Sequence, residues 1–310
     1  MRKPDFFLVG AAKCGTTAMY QYLGEHPEIF IPDTASTVEN VLGGKKELHF
    51  FCDDLNFVRP TTAEYLDYFS QVKHEKRLGE SSVFYLYSQN AAHKIKAFAP
   101  EAQIIVMLRN PIDVMYSWHS QLVFWGDEDI LDFGEALAAE SDRKNGLRIP
   151  EQRDHPVECF FYRQLVQFSE QLTRYFELFG QERVKVVIFE DFKANTNEVY
   201  QDILAFLGVD LDFAPNYVTV NQNKTVRNRG LQQLVRRPPS GLRTMVKKVV
   251  PASLRQSLRS EILKRNIQAK PRPEMSFELQ QALQQEFRTE VTSLSSLLGR
   301  DLTFWLEDYE

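Results

Sequence analysis

Short, nearly continuous apolar runs alternate along this chain with stretches in which apolar residues recur three or four positions apart. Phe6, Phe7, Leu8 and Val9 make the first run, Gln103 to Leu108 (Gln-Ile-Ile-Val-Met-Leu) a second, and Val184 to Phe189 a third. Runs of this kind fit strands buried on both faces of a parallel sheet. The pattern predicts strands near 5–9, 77–80, 103–108 and 184–189. Helix-like segments separate them, among them 18–24, 112–121 with Val114, Met115 and Trp118 at helical spacing, 164–179 and 195–207. No repeat or low-complexity tract interrupts the order. Strand and helix in alternation predict an α/β fold, a single domain with a central parallel sheet flanked by helices.

After residue 230 the pattern changes. Leu242, Met245, Val246 and Val249 form one helical stripe, and Leu254, Leu258 and Ile262 form another beyond Pro251. Leu279, Leu283, Phe287, Val291, Leu294 and Leu298, stopped by Gly299, predict a closing helix. The expected division is a core over 1–230 and a helical C-terminal extension over 231–310, packed on the same domain. Residues 231–270 carry ten Lys and Arg against one acid, Glu261, so the rest of the chain holds −14 of a total of −5. Stripes of this kind are expected to dock on the parent core, the charge being a solvated face. Contact of 231–270 with a membrane surface is the less favoured reading.

The first apolar run leads into Gly10-Ala11-Ala12-Lys13-Cys14-Gly15-Thr16-Thr17 and then a helix. A glycine-rich strand-to-helix turn offers backbone N–H groups and the positive end of a helix dipole to an anion, so this P-loop-like strand-loop-helix predicts phosphate binding at Lys13 to Thr17. It departs from the nucleotide triphosphatase loop, G-x-x-x-x-G-K-[ST], because Thr16 follows the second glycine and the lysine lies inside the loop as Lys13. An ordinary βα turn is the plain alternative. The second run ends in Arg109; Asn110 and Pro111 turn the chain, and Ser117 follows about two helical turns on. Arg109 and Ser117 can together hold a second phosphate, unless Arg109 merely pairs with a carboxylate.

These two segments resemble the sulfotransferases that use 3′-phosphoadenosine 5′-phosphosulfate (PAPS). The resemblance implies that Lys13, Cys14, Gly15, Thr16 and Thr17 hold the 5′-phosphosulfate, that Arg109 and Ser117 hold the 3′-phosphate, and that adenosine 3′,5′-bisphosphate (PAP) is the product. Lys45-Lys46-Glu47-Leu48-His49-Phe50-Phe51 looks like the Lys-Glu-x-His-Phe-Phe segment of bacterial members and of those acting on heparan sulfate. If extended, it puts Glu47 and His49 on one face and Leu48 and Phe50 on the other. The resemblance makes Glu47 the base that deprotonates the acceptor, with His49 its rival and support. Lys13 is expected to neutralise the leaving oxygen, with no metal required. A basic stretch over 220–230 resembles a loop that closes on the 3′-phosphate, with Arg227 and Arg229 its candidates and Lys224 less so. A solvated basic turn is the alternative there.

Around Gly79-Glu80-Ser81-Ser82-Val83 the chain departs from the glycosaminoglycan-modifying relatives, which tend to carry a lysine after the glutamate; Glu80 is expected to pair with a phosphate-site base or to cap its strand. Cys14, Cys52 and Cys159 fit neither a disulfide framework nor a zinc site. At a helix N-terminus beside Lys13, the Cys14 thiol is expected to have a lowered pKa. With 43% hydrophobic and 25% charged residues the chain can build a sizeable core, and with no signal-like or membrane-spanning run it is expected to be cytoplasmic. The acceptor is expected to be a small molecule, lipid or saccharide, not a nucleic acid polymer; whether oxygen or nitrogen is sulfated stays open, as does the oligomeric state. A nucleotide kinase and a non-catalytic nucleotide-binding protein are the alternatives. The kinase lacks its glycine-lysine order and a strand ending in the aspartate that magnesium needs.

Overall fold

The computed structural model describes residues 2–32, 47–217, 224–236, 252–269 and 272–307. Five strands, β1 (Phe6–Gly10), β2 (Ile29–Phe30), β3 (Arg77–Ser81), β4 (Gln103–Leu108) and β5 (Val184–Ile188), form one sheet. Their spatial order is β2-β3-β1-β4-β5 and every pairing is parallel. The four runs read as strands are all there. The two-residue β2 is too short to leave a pattern.

This order decides where a ligand goes. From central β1 the chain moves outward to the edge strand β2, returns to β3, and then crosses to the other side of β1 as β4. The winding reverses between β1 and β4, and open parallel sheets bind ligands beyond the carboxyl ends of the strands at such a reversal. Both expected phosphate segments leave the sheet there. The register of β1 on β4 also shifts between Leu8 and Gly10, an irregularity that re-aims the chain as it enters the loop.

Phe6, Phe7, Leu8 and Val9 are each no more than 1% exposed, so both faces of β1 are covered. Burying each large side chain stabilises by about 1.5–3 kcal/mol. Two packed groups of helices supply the cover. In one, α1 (Thr16–Glu25) meets the helix Thr196–Leu207, where the Tyr200 hydroxyl donates to the Tyr22 carbonyl at 3.1 Å. In the other, helices Ala91–Phe98, Pro111–Trp125, Phe168–Phe179 and Phe277–Leu298 pack together. Ser169 joins the last two by donating its N–H and hydroxyl to Glu290 at 2.7 and 2.6 Å.

The helix Pro111–Trp125, here called α2, begins where the side chain of Asn110 accepts from Ile112 N–H at 3.0 Å. Pro111 occupies its first turn and Gly126, at φ 76°, ends it. The closing helix Phe277–Leu298, called α3, is capped by Ser276 and ends at Gly299 as the sequence predicts.

The extension departs from expectation at one stripe. Leu254, Leu258 and Ile262 lie on the helix Ala252–Asn266 but are 51%, 50% and 39% exposed, while Leu263 is 1% exposed. The helix seats itself through Leu263 and Asn266 because Asn266 bonds the backbone of Asn228, so the expected docking face turns outward. The stripe at Leu242 to Val249 lies outside the described residues. No described helix is long and apolar enough to cross a membrane.

Candidate functional site

The loop after β1 is shaped by close approach and by an unusual backbone. A Cβ on Gly10 would lie 2.7 Å from Leu86 Cβ and 2.8 Å from the Val83 carbonyl oxygen, so no other residue fits there. Lys13 has φ 66° and Gly15 φ 87°. Glycine takes this left-handed region freely, whereas a lysine held there stores strain of a kind that clusters at functional sites. Gly15 caps α1, and the N–H groups of Ala18 and Met19 return to its carbonyl at 3.0 and 3.2 Å. A helix N-terminus offers its first amides and the positive end of its dipole to an anion.

Lys13 Nζ donates to Gln121 Oε1 at 3.0 Å across 108 positions of sequence. Gln121 lies on α2, one turn past Ser117, and the sequence reading missed it. Arg109 leaves the end of β4, its guanidinium 4.9 Å above the ring of Phe189. The carboxylate partner left open in the sequence is Asp113, 2.5 Å from Nη2. That pair does not use up the arginine: Nε is buried with no hydrogen-bond partner among the described residues. A buried donor of this kind costs free energy unless an acceptor meets it, so the residues fit an anionic group. Ser117 is buried on the following helix.

A second guanidinium stands close by. Arg272 packs 4.7 Å over the ring of Tyr116, and burial first, then the charge of Arg109, lowers its pKa. Arg227 is exposed on a two-stranded ribbon, β6 (Lys224–Val226) against β7 (Ile267–Ala269), with its N–H bonded to the Asn266 carbonyl. Arg229 opens the helix Arg229–Arg236. The side chains of Arg229 and Lys224 lie outside the described residues.

Cys14 corrects the sequence reading. Its side chain is fully buried and Sγ donates to the Ala12 carbonyl at 3.4 Å. Burial drives the thiol well above its ordinary pKa, outweighing the nearby cations Arg109 and Lys13. Only its backbone can face the loop.

Glu47 and His49 meet at the same carboxyl edge, His49 Nε2 lying 3.7 Å from Glu47 Oε2. Their segment is irregular rather than extended, with His49 at φ 50°. The same oxygen, Glu47 Oε2, accepts from Val83 N–H at 3.3 Å. His49 stacks on Phe57 at 3.8 Å and 10°. Burial, and secondarily the charge of His155, push the His49 pKa down to about 3. Its Nδ1 is buried with no hydrogen-bond partner among the described residues. Lys45 and Lys46 lie outside the described residues.

What holds this segment was not anticipated. Ser82 Oγ accepts from the N–H groups of Leu48 and His49, each at 3.1 Å, and donates to Glu80 Oε1 at 2.6 Å. Glu80 neither caps its strand nor pairs with a phosphate-site base. It is buried, receiving Tyr65 and Tyr85 hydroxyls at 2.7 and 3.0 Å besides Ser82. Burial raises its pKa to about 7 against the pull of the three hydroxyls. The spacing of one hydroxyl two residues after a strand carboxylate offers no signal that a distant backbone will use it.

A lysine-bearing loop at a helix N-terminus, an arginine beyond the next strand and a carboxylate–histidine pair share one sheet edge of a nucleotide-binding α/β protein. The chain belongs to the sulfotransferase domain family, whose sequence profile matches residues 3–295. It is 30% identical to a sulfotransferase of known crystal structure from Alicyclobacillus acidocaldarius, with a TM-score of 0.71 and 99% of this chain aligned to 100% of that one. It is 28% identical over 215 residues to the human bifunctional heparan sulfate N-deacetylase/N-sulfotransferase 2, covering 67% of this chain and 22% of that protein. A membrane-associated sulfotransferase of Dictyostelium discoideum, kil1, is 25% identical over 122 residues, 39% of this chain and 24% of that protein. The chain thus spans about a fifth of the length of the N-deacetylase/N-sulfotransferases it matches.

Proposed function

We propose that this protein transfers a sulfuryl group from PAPS to a hydroxyl or amine by direct in-line displacement. In this reading Lys13, Gly15, Thr16, Thr17 and the backbone of Cys14 hold the 5′-phosphosulfate, and Arg109 and Ser117 hold the 3′-phosphate. Glu47 takes the proton from the acceptor as its oxygen or nitrogen bonds to sulfur. The bond from sulfur to the bridging oxygen breaks, its electron pair stays on the departing PAP, and the Lys13 ammonium meets the charge that develops there. The observation that carries this reading is the strained Lys13, left-handed at an anion-binding helix end and tethered to α2 by Gln121.

Glu47 is preferred to His49 as base because a pKa near 3 leaves the imidazole a feeble proton acceptor. His49 then supports the carboxylate at 3.7 Å. Arg272, beside Arg109, is a stronger claimant to the 3′-phosphate than Arg227, which is exposed on the ribbon. The three free, buried cysteines accord with a reducing, cytoplasmic setting. The test is a pair of calorimetric titrations, PAP against ATP with magnesium, followed by transfer of labelled sulfate to a panel of phenols, alcohols and amino sugars. Tight PAP with weak ATP is expected; the reverse would make the protein a kinase or triphosphatase.

A further inference from the structure

The turn that follows α3 reaches back to the arginine that leaves β4. Past Gly299, Leu302 and Trp305 are buried, and the Trp305 carbonyl accepts from Asn110 Nδ2 at 2.7 Å across 195 positions of sequence. Asn110 is thereby held at both atoms of its amide, since Oδ1 already caps α2 through the Ile112 N–H. It is buried and directly follows Arg109, so the clamp fixes the backbone from which the arginine departs. A buried amide donor left without its acceptor costs free energy, which keeps Asn110 on Trp305. The turn is itself anchored to α3 by Ser295, whose carbonyl takes the Arg300 N–H and whose hydroxyl takes the Leu302 N–H, each at 3.1 Å.

The same segment also reaches the far end of Arg109. The guanidinium lies over Phe189, the first residue of the short helix Phe189–Ala194 that leaves β5. Two residues on, Asp191 makes a two-point contact with Arg300, one bond of which runs from Nη2 to Oδ1 at 2.8 Å. Between Phe189 and Asp191, burial raises the pKa of Glu190 while the Trp305 indole and the charge of Arg109 lower it, so these groups share one neighbourhood. Arg300 and Asp191 are 41% and 44% exposed. So open a pair contributes little to stability, and its loss is therefore to be read in geometry.

We infer that Asn110 and Arg300 are positioning residues: the turn after α3 holds Arg109 by its backbone and by the ring beneath its guanidinium, and so presets that guanidinium for the 3′-phosphate of the nucleotide. Presetting a long side chain removes an ordering cost that binding would otherwise carry. The inference rests on the sulfotransferase reading for its ligand, while the clamp is tested without any ligand as well. PAP and AMP, which differ only by the 3′-phosphate, are titrated calorimetrically into the wild type, into Asn110→Ser, and into the double variant Asp191→Asn with Arg300→Gln. In the nucleotide-free proteins the Nε–H resonance of Arg109, assigned by its disappearance in Arg109→Lys, reports the arginine directly by nitrogen-edited NMR.

Serine still caps α2 but is too short to reach the Trp305 carbonyl, and the double variant removes the Asp191 contact without changing net charge. The wild type is expected to prefer PAP to AMP by about tenfold or more, the discrimination that one charge-assisted contact supplies. Each variant is expected to lose about fivefold of that preference, with AMP affinity within about twofold of the wild type, and to shift or broaden the Arg109 resonance. Preference and resonance unchanged in both variants would overturn the assignment, as would an equal loss of PAP and AMP, the mark of a general structural defect. A wild type without preference for PAP, in which both variants still move the resonance, would instead remove the donor assignment and leave the clamp standing.

Discussion

Replacing Glu80 by glutamine probes the buried network that ties the reactive segment to the sheet. In the folded protein burial lifts the Glu80 carboxyl from its ordinary 4.5 to about 7, while Ser82, Tyr65 and Tyr85 pull the other way. The folded state thus keeps its proton to higher pH than the unfolded chain. Below about 4.5 both states are protonated and above about 7 both are ionised; between them the folded state carries the extra proton, so stability falls as pH rises through that window. At about 1.4 kcal/mol per pH unit, the gap between 4.5 and about 7 amounts to about 3 kcal/mol. Glutamine has nearly the same shape and cannot ionise. Urea unfolding at several pH values from about 5 to about 8 gives the free energy of each protein by linear extrapolation. The wild type is expected to lose up to about 3 kcal/mol relative to Glu80→Gln as pH rises, and to run parallel to it above about 7. Two curves parallel across the whole range would refute the burial argument.

Three further outcomes follow from the geometry. Glu47→Gln is expected to lower kcat by about 10²–10⁴ while leaving PAP affinity within about twofold, read by labelled-sulfate transfer and calorimetry; unaltered turnover would reject Glu47 as the base. Lys13→Ala is expected to lose about 10²–10³ in kcat, more than it loses in PAP affinity, because the interaction strengthens as the leaving oxygen charges; an effect confined to affinity would move Lys13 from chemistry to binding. Glu128→Gln breaks a fully buried two-point contact, with Arg143 Nη1 and Nη2 at 2.8 and 2.7 Å, and leaves the guanidinium without its counter-charge. Its expected cost is about 3–5 kcal/mol in urea unfolding, and a loss below about 1 kcal/mol would mean that the charge is met elsewhere.

Local chemistry was readable in the chain; long-range support was not. The run Phe6 to Val9, its glycine loop and the helix after it are consecutive, so strand, turn and helix declare themselves together, and Arg109 stands where expected at the end of β4. Gln121 on Lys13 and Ser82 on His49 join residues 108 and 33 positions apart, and no periodicity announces such contacts. Cys14 misled because a helix end beside a lysine argues for a low pKa, whereas its side chain points into the core and burial outweighs both charges. Glu80 misled in the same way, read as the partner of a phosphate-site base or as a strand cap, when three hydroxyls make its burial tolerable. The stripe Leu254, Leu258, Ile262 has helical spacing and lies on a helix, but periodicity names a face without saying what covers it.

Lys13 and His49 share a backbone twist that suits neither residue, at φ 66° and 50°. Each departure costs on the order of 1–3 kcal/mol, which glycine would recover. Under the sulfotransferase reading, selection of this chain for heat tolerance alone would therefore drift toward glycine at both positions and give up the Lys13 ammonium and the His49 imidazole. Any engineering campaign has to hold those two sites fixed and look for robustness elsewhere.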